Sequence, residues 1–298
     1  MANKPRLTVA LPLLKKEIER LGPKVVDNRL LTDIFETNKD KWRLPLAMTS
    51  ERFINDLGEL DFMRHHLFQF PAMNPKLLFF QDDASVYEIS ANIFSHSYLS
   101  HYSAVTLWGL TEQIPKTIYI TQEQSQSPAK SQLAELNQTG IDQAFQKPQR
   151  QSETFTLFQD FKIMLLRGKG TKDLGVQYVD RQINQQIRVT DIERTLIDIA
   201  VRPSYAGGVS EVLKAYRLAK ENYNVSVNKL SGYLSRMNFS YPYHQAIGFY
   251  LSHAGNYKTS QLAIFKNKPQ TFNFYLTYEM ANPGYDAEWQ IYYPKGLI

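Results

Sequence analysis

Over the first seventy positions the apolar residues recur at helical spacing. Leu11, Leu14, Ile18 and Leu21 step by three and four residues, which predicts an amphipathic helix that Gly22-Pro23 stops. Val26, Leu30, Leu31, Ile34 and Phe35 predict a second helix. A polar loop follows, from Asn38 to Arg43, closed by Pro45. The hydroxyls of Thr49 and Ser50 can cap a third helix, whose apolar stripe is Phe53, Leu57 and Leu60. The stretch Arg64 to Phe70 alternates late, ends at Pro71 and suits a strand.

The pattern then changes. Leu77 to Phe80 and Ile118 to Ile120 read as strands, with a helix over Ser100 to Leu110 between them. Gln122 to Gln151 is rich in Gln and Ser, which predicts loop and exposed helix. Phe155 to Leu166 becomes a continuous apolar strand, and Gly168-Lys169-Gly170 a turn. Ile187 to Val189 leads into a helix over Ile192 to Val201, broken by Pro203 and Gly207-Gly208. Three more helices are predicted at Val209 to Tyr223, Val227 to Met237 and Tyr243 to Ala254. The end, Phe272 to Ile298, is aromatic and strand-like. No internal repeat is visible.

Three short helices and then a strand pair is the order of a winged helix-turn-helix. The expected fold is therefore α+β, with a winged-helix domain over residues 1–72 and a larger mixed α/β domain over 73–298. A short third helix can lie in a major groove about 12 Å wide, and a strand pair beside it can touch phosphate. In that reading Ser50 opens the third helix, Arg52 and Asn55 face the groove, and Phe53 and Leu57 face inward. Lys39, Lys41, Arg43 and Arg64 would grip phosphates, and His65 would lie on the wing.

Composition narrows the classes. With 43% hydrophobic and 21% charged residues, the chain has enough apolar content for a packed core. Absence of cysteine removes disulfides, thiolate metal sites and cysteine nucleophiles, and fits a reducing compartment. Met1 to Arg20 carries charges every few residues and is not a secretory signal, and no apolar run reaches the ~18 residues that cross a bilayer. A cytoplasmic location without membrane contact is expected. The net charge of +5 permits nucleic-acid binding but does not establish it; the local clusters are Lys39/Lys41/Arg43 and Arg167/Lys169/Lys172.

Three blocks carry a family likeness: Ser100 to Ile120 (SHYSAVTLWGLTEQIPKTIYI), Arg188 to Tyr216 (RVTDIERTLIDIAVRPSYAGGVSEVLKAY) and Tyr241 to Gly255 (YPYHQAIGFYLSHAG). Through them, and through the closing Trp289 to Leu297, the chain resembles the AbiEi family of transcriptional regulators and antitoxins. The second block is the most specific, with Thr190, Asp191, Arg194, Thr195, Asp198, Gly207 and Gly208 in order at family-like spacing. The resemblance implies a winged-helix head that binds operator DNA and represses a type IV toxin–antitoxin, phage-defence operon. It also implies a remainder that counteracts a nucleotidyltransferase-type toxin, and leaves open whether the two proteins form a stable complex.

Several residue sets also admit an enzyme reading. Asp191 and Asp198, a heptad apart, could hold Mg²⁺; alternatively Thr190 or Asp191 caps the helix, Glu193 meets its positive end and Arg194 pairs with Asp198. Gly207-Gly208 could cradle a phosphate, but a tight turn between helices accounts for it without a ligand. The six histidines, His65, His66, His96, His101, His244 and His253, show no zinc-helix spacing. Asp286 and Glu288 could belong to a metal-dependent nuclease, with Lys295 far along the chain for the usual partner. The expectation is a non-enzymatic regulator without cofactor or metal; the alternatives are that nuclease and a pure protein-interaction module.

Overall fold

The computed structural model describes residues 6–60, 62–125, 136–180 and 186–298. Part of the predicted Gln122 to Gln151 loop, residues 126–135, lies outside the described residues.

The chain begins with helix α1 (Arg6–Leu21), strand β1 (Val25–Val26), helices α2 (Asn28–Asn38) and α3 (Ser50–Glu59), then strands β2 (Arg64–Phe68) and β3 (Lys76–Phe80). Leu14, Leu31, Phe35, Phe53, Leu57 and Phe79 form a common core beneath the helices. The second helix starts later than its apolar pattern suggests. Asp27 accepts a hydrogen bond from the Leu30 amide at 2.8 Å, so the cap falls after Val26. Val26 instead lies in β1, opposite Phe79 of β3.

Strand β3 sits between β1 and β2, antiparallel to both. The first sheet therefore includes residues up to Phe80, and the expected boundary at residue 72 is corrected: it cuts the β2–β3 hairpin. The hairpin has two buried faces. Phe79 points into the helical core, whereas Phe68, Leu78 and Phe80 enter a second core shared with the rest of the molecule. Alternation along a strand makes this possible, and the unbroken apolar run Leu77 to Phe80 is its sequence mark.

The remainder is built on a six-stranded mixed sheet. Chain order runs through α4 (Val86–Ala91), β4 (Tyr98–Leu99), α5 (His101–Leu107), β5 (Thr117–Glu123), α6 (Gln138–Phe145), β6 (Phe155–Phe158), β7 (Phe161–Gly168), β8 (Val176–Asp180) and β9 (Gln186–Thr190). The strands are ordered β6-β7-β5-β4-β9-β8, with β5/β7 and β4/β9 parallel. Ile118, Ile120, Ile163 and Leu165 face the hairpin core, while Tyr119, Met164 and Leu166 point to the other side.

On that other side lie α7 (Ile192–Val201), a 3₁₀ turn (Pro203–Tyr205), α8 (Val209–Asn222), α9 (Val227–Met237), α10 (Tyr243–Ala254) and α11 (Thr259–Lys266). A small sheet closes them, with β12 (Ile291–Tyr293) between β10 (Phe274–Tyr275) and β11 (Gly284–Asp286). Trp289 and Phe274 are buried where this sheet meets the helices. The whole is a mixed α+β protein, and among the described residues no helix is long and apolar enough to cross a membrane.

Candidate functional site: the exposed face of the third helix

Helix α3 is amphipathic because its N-cap fixes its phase. Thr49 Oγ1 accepts from the Arg52 amide at 3.2 Å, and Ser50 becomes the first helical residue. From that start Phe53, Ile54 and Leu57 fall inward and are buried, while Glu51, Arg52 and Asn55 fall outward and are exposed. The outward face borders a groove of about 390 Å³ whose other wall is the β2–β3 hairpin at Leu67 and Leu77. Asn28 and Thr32 of α2 also line it. These two were not anticipated; their signal was the Asp27 cap, which aims the first turn of α2 at α3.

The sequence-predicted contacts divide. Ser50, Arg52 and Asn55 share the α3 face, and Arg52 lies 3.8 Å from Asp56 one turn on. Lys41 and Arg43 are exposed in the connection before α3. Arg43 has a positive φ of 54°, and its carbonyl accepts from Arg6 Nη1 at 3.1 Å.

Lys39 is corrected. Its Nζ donates to the Leu46 and Met48 carbonyls at 3.0 and 2.9 Å, so it latches the α2–α3 connection. Arg64 is exposed but stands apart from the α3 face. It stands at the far end of β2, over the Phe80 ring and 3.6 Å from Asp82, three strand positions from Leu67, or about 10 Å away. His65 lies over the Phe79 ring and its Nδ1–H donates to the Met63 carbonyl at 3.2 Å, away from the hairpin tip. His66 turns to the opposite face against Phe68 and Phe158, where burial lowers its pKa.

The motif block on α7 is a structural latch. Asp191 caps the helix, accepting from the Arg194 amide at 2.8 Å, and its second oxygen accepts from Tyr233 and Lys229. The hydroxyls of Thr190 and Thr195 lie 2.8 Å apart, and Thr195 also donates to the Thr190 carbonyl. Glu193 accepts from the Ser226 amide and from Lys229, tying α7 to the start of α9.

Arg194 is buried, with Nε on Asp198 at 2.8 Å and Nη1 on the Leu174 carbonyl at 2.6 Å. Burial opposes its charge, but Asp198 and neighbouring Tyr98 outweigh that and hold its pKa above the usual arginine value. The Mg²⁺ reading of Asp191 and Asp198 therefore gains no support, because each carboxylate already faces a cation or a cap. Gly175, at φ 72°, lies so close that an added Cβ would come 2.7 Å from Arg194 Cβ. Gly207 and Gly208, at φ 77° and 97°, make the turn into α8; the Gly208 amide donates to the Pro203 carbonyl.

Asp286 and Glu288 do not converge. Asp286 accepts from His253 at 3.0 Å and from the Trp289 amide at 2.9 Å, whereas Glu288 pairs with exposed Lys266. Among the described residues no group of three or more His, Asp or Glu is placed to hold a metal ion.

No protein-family profile and no curated protein matches the chain significantly. Among solved structures, it resembles the RV2827C protein from Mycobacterium tuberculosis, at 15% identity and a TM-score of 0.55. That likeness covers 96% of this chain and 91% of the other, and it speaks to the fold alone.

Proposed function

We propose that the chain is a DNA-binding transcriptional regulator whose first eighty residues act as a winged helix-turn-helix. The observation that carries this reading is the outward face of α3. It exposes Arg52 and sets Asn55 beside a groove walled by a β-hairpin, on a helix whose opposite face is locked into the core. A helix held this way can enter a major groove and offer Arg and Asn to base edges. Lys41, Arg43 and the capped start of α3 flank it as phosphate contacts. The arrangement supports binding without turnover, as a repressor would need.

The blocks that resemble the AbiEi family extend the proposal. In that reading the chain represses its own operon and counteracts a nucleotidyltransferase-type toxin as an antitoxin of the type IV, phage-defence kind. The Thr190 to Asp198 and Gly207-Gly208 elements would then be the scaffold of the regulatory part.

A gel-shift assay on the DNA upstream of the gene tests the reading. The full chain should shift it, and Arg52→Ala should cost about 1–3 kcal/mol of discrimination and relax sequence preference at one position. Unchanged affinity and preference in that variant would remove α3 as the reading element.

A further inference from the structure

A cleft of about 640 Å³ opens between the end of β7 and the helical group, well separated in sequence from α3. We propose that it binds a nucleoside monophosphate or a closely similar phosphorylated ring compound. This goes beyond DNA recognition by the first eighty residues and does not depend on it.

The charge of the cleft is one-sided. Arg150, Lys169 and Arg202 line it, and none of the three has a carboxylate within ion-pairing distance among the described residues. Their contacts are to neutral acceptors. Lys169 Nζ donates to the Asn238 carbonyl at 2.6 Å and Arg202 Nη1 to the Arg150 carbonyl at 2.7 Å, whereas the Arg167 side chain turns to the hairpin face of the sheet, against Gln122 and Met73. These bonds aim the side chains without neutralising them. The one acid in the lining, Asp198, already pairs with Arg194. His101 on the floor adds no charge near neutral pH, because burial pushes its pKa down to about 4. Guanidinium groups held in place but uncompensated match a phosphate, which accepts paired N–H bonds.

Aromatic rings stand beside these cations, with Lys169 Nζ over Phe239 at 5.5 Å and Arg202 over Tyr205 at 6.0 Å from the ring centroid. Tyr205, Phe239, Tyr241, Tyr243 and Tyr278 line the cleft. Tyr205 accepts from the Ser152 amide at 2.7 Å, but the hydroxyls of Tyr241, Tyr243 and Tyr278 have no hydrogen-bond partner among the described residues. Tyr243 is only 9% exposed. A nearly buried hydroxyl without a partner, facing a cavity, is satisfied by a ligand or by water. Flat rings give a base a stacking surface, and the cavity lies within the roughly 300–1,000 Å³ that suits a ligand of this size. Phosphate alone would leave the aromatic rings unused.

Isothermal titration of the full chain with AMP, ribose 5-phosphate and inorganic phosphate tests this. AMP should bind, at least tenfold more tightly than either smaller probe. Lys169→Gln, at an exposed position, should leave the thermal midpoint unchanged and weaken AMP at least threefold; Arg202→Gln should weaken it at least tenfold. No heat with AMP at millimolar concentration would overturn the proposal, and so would phosphate binding as tightly as AMP. Binding of a single-stranded oligonucleotide with none of AMP would overturn it too, by assigning the cleft to a polymer.

Discussion

The α3 face and the body cleft both expose arginine, and they are the two regions proposed to meet an anionic partner, yet they are built on opposite principles. On α3 the charges are nearly balanced: Glu51 stands beside Arg52, and Asp56 lies 3.8 Å from it. In the cleft Arg150, Lys169 and Arg202 stand with no free acid beside them. The net charge of +5 is thus not concentrated where helical spacing put the DNA contacts. A balanced face can read by hydrogen bonding and shape, whereas an unbalanced concave one holds a compact anion. The two differ also in support, since α3 rests on one small core and the cleft sits where the main sheet meets the helical group.

The supports can be broken to test this contrast, and the largest effect is expected at the latch. Arg194→Ala leaves Asp198 buried without its cation and removes a tie to the Leu174 carbonyl. A loss of about 3–5 kcal/mol in urea unfolding is expected. A loss below about 1 kcal/mol would mean that the motif block is not what holds the cleft's floor.

The hairpin comes next. Phe68 is fully buried in the core shared by the first sheet and the body. Phe68→Ala should cost about 3–5 kcal/mol and lower a single unfolding transition for the whole chain. Two separate transitions, with only the first shifted, would show that the head and body are independent. The same seam means that a chain cut near residue 75 loses Phe68 and Phe70 from the body's own core.

A smaller effect is expected from acid. His101 is held neutral by burial, with a native pKa of about 4 against an ordinary 6.5. The unfolded chain binds that proton first, so the contribution is whole above about pH 6.5 and falls as pH drops toward 4, by up to about 3 kcal/mol. His101→Gln should flatten this part of the urea midpoint against pH. An identical acid loss in both proteins would contradict the assignment.

Much of the architecture was legible in the spacing of apolar residues. Helices α7, α9 and α10 run over the residues expected of them; α9 buries one face against the large core, and α7 and α10 are buried along most of their length. The misses have physical causes. Helix α4 is six residues long and shows itself only through the Ser85/Glu88 capping box, a local signal without apolar periodicity. Helix α11 buries little beyond Phe265, so its pattern is faint. On the candidate face, Ser50, Arg52 and Asn55 were readable because one helix carries all three. The distance of Arg64 from α3 and the latch made by Lys39 were not readable, because a strand's far end and a lysine's carbonyl partners are set by tertiary structure. The cleft was hidden for the same reason. Its cations come from residues 150, 169 and 202, and only the helical group's docking on the sheet brings them together.

The most direct test sets the two regions against each other on DNA. Footprinting on the upstream sequence should be done with the full chain, with an Arg52→Ala/Asn55→Ala double variant and with a Lys169→Ala/Arg202→Ala double variant. If α3 reads the bases, the first double variant loses the protected site while the second still protects it. Protection that survives in the first and vanishes in the second would contradict the account.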